Sequence, residues 1–90
     1  MNNMERCVVY KIRNKDYLEE KGEGLSELLR DWLNTNGFDV LVYDFILEDN
    51  ANIIIDYSFG EKVDIKKLKV LAEKLFKRFN IDFEVEEDNL

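Results

Sequence analysis

Few side chains in this 90-residue chain have the types and spacing that catalysis requires. Histidine is absent, which removes the commonest general base and the commonest zinc ligand. The single cysteine, Cys7, therefore lacks an imidazole to activate its thiol, and we expect it to be a small buried apolar residue. One cysteine also excludes an internal disulfide and a cysteine-ligated cluster within one chain. We expect no enzymatic activity and no cofactor.

Carboxylates are the remaining candidates for acid–base or metal chemistry. Asp56 and Glu84 are candidates for a carboxylate pair on the exposed face of a sheet, although acidic side chains on strands more commonly serve solubility. Two oxygen-rich segments could attract a hard cation: Asp49, Asn50 and Asn52, and the acidic group Glu84, Glu86, Glu87 and Asp88. The first segment lacks the spacing of a calcium loop and is typical of a turn, and the second is typical of a frayed tail. We expect no metal site.

A short glycine pair is the only candidate for anion binding by backbone. Gly22 and Gly24 precede a predicted helix, where free N–H groups can hold an anion. Arg13 follows the first predicted strand and could add a positive charge. Two glycines alone are a weak signal, because no lysine and hydroxyl residue of a phosphate loop follow. Arg13, Gly22 and Gly24 therefore define one hypothesis, an anion or small-molecule site.

Positive charge is concentrated in one segment. Residues 61–79 carry seven basic and three acidic side chains, a net +4, whereas the rest of the chain has six basic and seventeen acidic ones, a net −11. The candidate docking face for an acidic partner or a nucleic acid consists of Lys66, Lys69, Lys74 and Lys77. A solvated helix face explains the same pattern, because lysine favours helices and suits their C-terminal ends. A total charge of −7 disfavours general nucleic-acid binding.

Hydrophobic periodicity places these residues on six elements. The sequence predicts strands at residues 6–13, 38–48, 52–59 and 81–86, and helices at residues 25–36 and 65–79. The first helix has an apolar stripe formed by Leu25, Leu28, Leu29, Trp32 and Leu33. Gly37 and Asn80 are candidate C-terminal stops, and Asp64 is a candidate N-cap. Gly22 and Gly24 argue against a helix that begins earlier, so residues 14–24 stay unassigned.

The order β-α-β-β-α-β predicts one fold for a single domain of residues 1–90. Two right-handed crossovers around a hairpin give a four-stranded antiparallel sheet with strand order 4-1-3-2 and both helices on one face. This arrangement is a ferredoxin-like α+β fold. Many unrelated functions occur on it, so the fold does not indicate a function.

The second predicted strand is apolar on both sides, which is unusual for an edge strand. One side carries Phe38, Val40, Val42 and Ile46, and the other carries Leu41, Tyr43, Phe45 and Leu47. A long apolar edge requires cover. We expect a second copy or another protein to supply it, with Val40, Val42, Tyr43 and Phe45 at the association surface. The alternatives are that residues 14–24 fold over this face through Tyr17 and Leu18, or that the strand bulges.

The sequence therefore predicts a small non-enzymatic protein-interaction module, a homodimer or a subunit of a larger assembly. One alternative is a regulatory domain that binds a small molecule, and another binds nucleic acid through helix 65–79. The apolar content of 46% is that of a folded protein, and no apolar run is long enough to span a membrane. One cysteine and no export signal favour the cytoplasm. Both faces of the first three strands are largely apolar, so the sequence leaves open which face is the core.

Overall fold

The computed structural model describes the backbone of residues 6–13, 15–47, 50–59 and 62–88, and the side chains of residues 6–13, 24–44, 51–59 and 62–85. Its elements follow the predicted order: β1 (Cys7–Ile12), α1 (Lys15–Thr35), β2 (Leu41–Leu47), β3 (Asn50–Asp56), α2 (Ile65–Arg78) and β4 (Phe83–Asp88). The ferredoxin-like α+β prediction is confirmed.

The four strands form one antiparallel sheet in the order β2-β3-β1-β4. Read from the other edge, this is the predicted order 4-1-3-2. Val8 lies opposite Ile55 and Tyr10 lies opposite Ile53, so these residues share one face of the sheet. The register of β1 against β4 shifts between Val9 and Tyr10.

Both helices cover the same face of the sheet. Buried side chains of the two helices join one cluster with alternate residues of the central strands, namely Val8, Tyr10, Ile12, Ala51, Ile53 and Ile55. The register therefore resolves which face is the core. At its centre, the Tyr10 ring is nearly perpendicular to the rings of Phe76 and Phe83, at centroid distances of 5.1 and 5.6 Å. The Tyr10 hydroxyl donates a hydrogen bond to Glu73 Oε2 at 3.0 Å, which ties β1 to α2.

The predicted N-cap of α2 and the predicted C-terminal stops of both helices are confirmed. Gly37 follows α1 with φ of +94° and Asn80 follows α2 with φ of +57°, the left-handed backbone that stops a helix. Asp64 caps α2, because its Oδ1 accepts a hydrogen bond from the Lys67 backbone N–H at 3.2 Å.

The beginning of α1 differs from the prediction. The helix is continuous from Lys15 to Thr35, so Gly22 and Gly24 lie in its interior. A glycine inside a helix costs roughly 1 kcal/mol relative to alanine, which is a weak preference that packing overrides. Here α1 buries Leu25, Leu29 and Leu33 in the core. Residues 15–24 are therefore helical and do not form the loop that was the alternative cover for β2.

Candidate functional site

The sheet face opposite the helices, which we call the open face, carries an apolar row across three strands. Tyr43 lies opposite Ile54, and Ile54 lies opposite Val9. Tyr43 is 49% exposed and the neighbouring Leu41 is 37% exposed, whereas Ile54 and Val9 are half-buried. None of these side chains belongs to the core cluster. This partly exposed apolar row is the candidate interaction surface.

Charged side chains of both signs border the apolar row on the β4 side. Lys11 lies opposite Glu84 on adjacent strands, which brings a positive and a negative side chain together. Arg13 forms ion pairs with Glu84 and with Asp82, the latter at 3.7 Å. Exposed pairs of this kind contribute little stability. Among the described side chains of this border, Lys11 and Arg13 are therefore balanced by Asp82 and Glu84; Glu87 follows on β4 opposite Val9, and its side chain lies outside the described residues.

The prediction is wrong for two of the four residues of the association surface, Val40 and Val42, which lie in or pack against the core. The pairing of Val42 with Ile55 turns Val42 towards the helices, where it packs against the core, and Val40 is only 3% exposed. Tyr43 does lie on the open face. The backbone of Phe45 has the same orientation, opposite Asn52, and its side chain lies outside the described residues.

Leu41, Ile54 and Val9 also lie on the open face, and they were not among the residues predicted for the association surface. The alternation of apolar residues was the available signal, but it is equally strong on both sides of β2. Only the pairing of β2 with β3 decides which side is core.

Asp44 makes the outer edge of β2 less suitable than the open face for pairing with a second copy. It is the central residue of Leu41–Leu47, lies opposite Ile53 on the helix side of the sheet, and is half-buried. In-register antiparallel pairing of two β2 strands places Asp44 opposite its own copy. Like charges directly opposite destabilise a strand pair, and an inward-facing charge is a common protection of sheet edges. Association through the open face is therefore favoured over edge-to-edge pairing.

The structure overturns the anion-site hypothesis. Gly22 and Gly24 lie inside α1, where backbone N–H groups donate to helical carbonyls and leave none for an anion. Arg13 is engaged with Asp82 and Glu84. The prediction of a loop at the glycine pair is wrong because glycine occurs both in loops and in helices that packing stabilises.

The candidate carboxylate pair does not form. Asp56 lies opposite Cys7, whereas Glu84 lies opposite Lys11, so strand β1 separates the two acidic residues. The Asp56 carboxylate instead accepts hydrogen bonds from the Ser58 N–H at 2.9 Å and the Ser58 hydroxyl at 2.6 Å. Cys7 is half-buried on the open face, more exposed than expected.

The oxygen-rich segments form no ligand set in the described part of the chain. No group of three or more described Cys, Asp or Glu side chains is arranged to hold a metal ion. Asn52 is not a turn residue, because it lies inside β3 and is buried. The remaining candidates, which are Asp49 and the side chains of Asn50, Glu86, Glu87 and Asp88, lie outside the described residues.

The four lysines of the predicted docking face differ in exposure. Lys66, Lys74 and Lys77 are exposed on α2, whereas Lys69 is half-buried and has an interaction partner.

No described helix is both long and apolar enough to cross a membrane. Among family models, curated proteins and solved structures, we found none that matches this chain. The functional assignment therefore depends on the geometry of the open face and of the helix surface.

Proposed function

We propose that this protein is a non-enzymatic interaction module that forms a two-fold homodimer through its open face. The observation that carries the proposal is the apolar row of Tyr43, Ile54 and Val9, exposed at Tyr43 and half-buried at the other two residues, on the side of the sheet that neither α1 nor α2 covers. Burying apolar surface of this kind is the main favourable term in protein association. The absence of histidine and the single cysteine support a non-enzymatic role, and the single cysteine supports the cytoplasm as its location.

A second copy fits the charge pattern of the open face better than a strongly charged partner. A two-fold interface presents the same patch from both subunits, so the patch must be complementary to itself. A border of Lys11 and Arg13 beside Asp82 and Glu84 meets this condition, because each sign on one copy can face the opposite sign on the other. A border with one sign of charge would repel its own copy.

The size of the open face indicates how tightly two copies bind. Four strands spaced about 4.8 Å apart, with six or seven residues each at about 3.3 Å per residue, give a footprint of roughly 400 Å². Standard stable interfaces bury about 800 Å² per partner, and smaller ones are weak or transient. We therefore expect a reversible dimer with a dissociation constant in the micromolar range.

Sedimentation velocity across a concentration series, from low to high micromolar protein, tests the proposal. We expect the wild-type mass to rise from monomer to dimer, and Tyr43→Lys to remain a monomer over the whole range. Lysine lowers the negative net charge, so the loss of the dimer could not be attributed to greater overall repulsion. The matched control is Val70→Lys, which places the same charge on a 64% exposed apolar residue of α2, on the helix side of the molecule.

Val70→Lys should dimerise like the wild type. Circular dichroism spectra of all three proteins should coincide, since neither position is buried. A wild-type monomer at every concentration contradicts the proposal. A folded Tyr43→Lys protein that dimerises as the wild type does also contradicts it.

The small-molecule alternative has lost its candidate site, because Gly22 and Gly24 are helical. The nucleic-acid alternative depends on the basic surface of α2.

A further inference from the structure

The outer surface of the two helices contains a groove of about 410 Å³ that no sequence motif indicated. Trp32 of α1 forms one side, and Lys74, Leu75 and Arg78 of α2 form the other. Its volume lies within the range of roughly 300–1,000 Å³ that is usual for ligand sites. Because both helices cover the face of the sheet opposite the open face, the groove and the proposed dimer surface are separate.

The floor of the groove is apolar and fixed in position. The Trp32 indole N–H donates a hydrogen bond to the Leu71 carbonyl oxygen at 2.9 Å, so the polar atom of the ring is used inside the protein. This bond holds the half-buried indole against α2, and the surface that lines the groove is mostly apolar. Leu75 is buried beside it. A preformed apolar surface of this kind binds without a large ordering cost.

The rim of the groove carries two positive charges that no described acidic side chain neutralises. Lys74 and Arg78 lie one turn apart on α2 and are exposed, and neither forms an ion pair within the described residues. Like charges at this spacing repel each other and destabilise a helix by about 0.2–0.5 kcal/mol. The helix dipole explains Arg78 in the last turn, but its effect falls off before Lys74. Asp31, which precedes Trp32 on α1, pairs with Arg30.

We propose that this groove binds a short acidic peptide segment of a partner protein. One apolar side chain of the segment packs on Trp32 and Leu75, and carboxylates on either side of it pair with Lys74 and Arg78. The complementarity is specific to this region, because residues 61–79 carry a net +4 within a chain of −7.

A peptide is favoured over a nucleic acid for two physical reasons. Single-stranded nucleic acids bind through bases stacked on open aromatic faces, and the indole of Trp32 is half-buried with its orientation fixed by Leu71. A nucleic acid also extends beyond the groove, where the acidic remainder of the chain repels its phosphates over about 8 Å at physiological salt. A short segment stays within the basic region.

Fluorescence of Trp32, the only tryptophan, reports binding directly in the groove. The probe is a synthetic peptide of glutamates and aspartates around one central phenylalanine. We expect a saturable change in Trp32 emission that weakens with added salt. The same peptide with serine in place of phenylalanine should bind clearly more weakly, because it cannot use the apolar floor.

Two double variants separate the groove from general electrostatics. Lys74→Glu with Arg78→Glu should weaken binding by about tenfold or more, because two attractive pairs become repulsive. Lys62→Glu with Lys66→Glu makes the same change of charge outside the groove and should retain most of the affinity. Equal losses in both variants overturn the proposal, as does the absence of any binding by the phenylalanine peptide.

Two further titrations identify the class of ligand. A single-stranded oligonucleotide that binds at least as tightly as the peptide assigns the groove to nucleic acid and overturns the proposal. Phenylacetate that binds as tightly as the peptide assigns it to small carboxylates, with the same consequence. Because Tyr43 is distant from the groove, the Tyr43→Lys monomer should bind the peptide like the wild type, so failure of the dimer and failure of the groove are distinguishable.

Discussion

Replacing Gly24 by alanine tests whether α1 is one continuous helix. Gly24 is exposed in the interior of Lys15–Thr35, and a Cβ at this position meets no other atom within 4 Å. The substitution therefore adds no clash and removes the backbone entropy that glycine loses on folding. The full difference in helix propensity, about 0.8–1.0 kcal/mol, should appear as added stability. For a domain of this size, that corresponds to a rise in Tm of roughly 4–8 °C.

Gly37→Ala is the matched control, because the same methyl group should have the opposite effect there. No neighbouring atom lies within 4 Å of its Cβ either, but Gly37 has φ of +94°. A side chain in left-handed backbone costs about 1–2 kcal/mol, so this variant should be less stable than the wild type. Space around the two glycines is equal, and only the backbone conformation differs.

Urea unfolding followed by circular dichroism measures both changes, at protein concentrations low enough that dimerisation does not contribute. We expect the midpoint of Gly24→Ala to rise and that of Gly37→Ala to fall, with similar slopes. If Gly24→Ala is destabilised as Gly37→Ala is, position 24 has loop backbone. The reasoning about α1 is then refuted, and the anion site at Gly22 and Gly24 becomes plausible again.

Two further substitutions test the interior. The Ser26 hydroxyl is buried and has no hydrogen-bond partner within the described structure. Ser26→Ala should therefore stabilise the protein by roughly 1–2 kcal/mol in the same urea assay. A loss of stability would show that the hydroxyl has a partner. Tyr10→Phe keeps the ring contacts with Phe76 and Phe83 but removes the hydrogen bond to Glu73, and should cost about 1–2 kcal/mol. In a Glu73→Gln background the cost should shrink, and an unchanged cost would mean that the hydrogen bond is not its cause.

The order of elements was predictable because each has a distinct local signal. In α2 the apolar residues recur at helical spacing, Asp64 stands where an N-cap is required, and Asn80 stops the helix. In β4, alternation of apolar and acidic residues places Phe83 and Glu84 on opposite faces, and the pairing with β1 confirms it. Such signals depend on residues within one or two turns of each other.

The candidate surfaces were less predictable because they depend on contacts between distant residues. Val42 and Tyr43 are both apolar, and only the pairing of β2 with β3 shows that Val42 is covered and Tyr43 is not. The groove joins Trp32 to Arg78 across two helices, and no local pattern indicates that they meet. In the sequence, Lys74 and Arg78 are typical of a solvated helix face. Only the tertiary structure places the Trp32 indole beside them.

The two proposed surfaces have a joint consequence, because they lie on opposite sides of one sheet. A face-to-face dimer leaves both grooves on its outer surfaces. The smallest principal extent of one subunit is 18 Å, and two subunits stacked along this direction place their outer surfaces roughly twice that distance apart. At most about 3.3–3.6 Å per extended residue, a partner chain needs more than about ten residues between two acidic segments to reach both grooves. Linked segments of sufficient length gain avidity from the dimer without any new contact, whereas a single segment gains nothing. A weak dimer therefore favours partners that carry the acidic segment twice over partners that carry it once. The protein binds such a partner tightly only at protein concentrations at which the dimer forms.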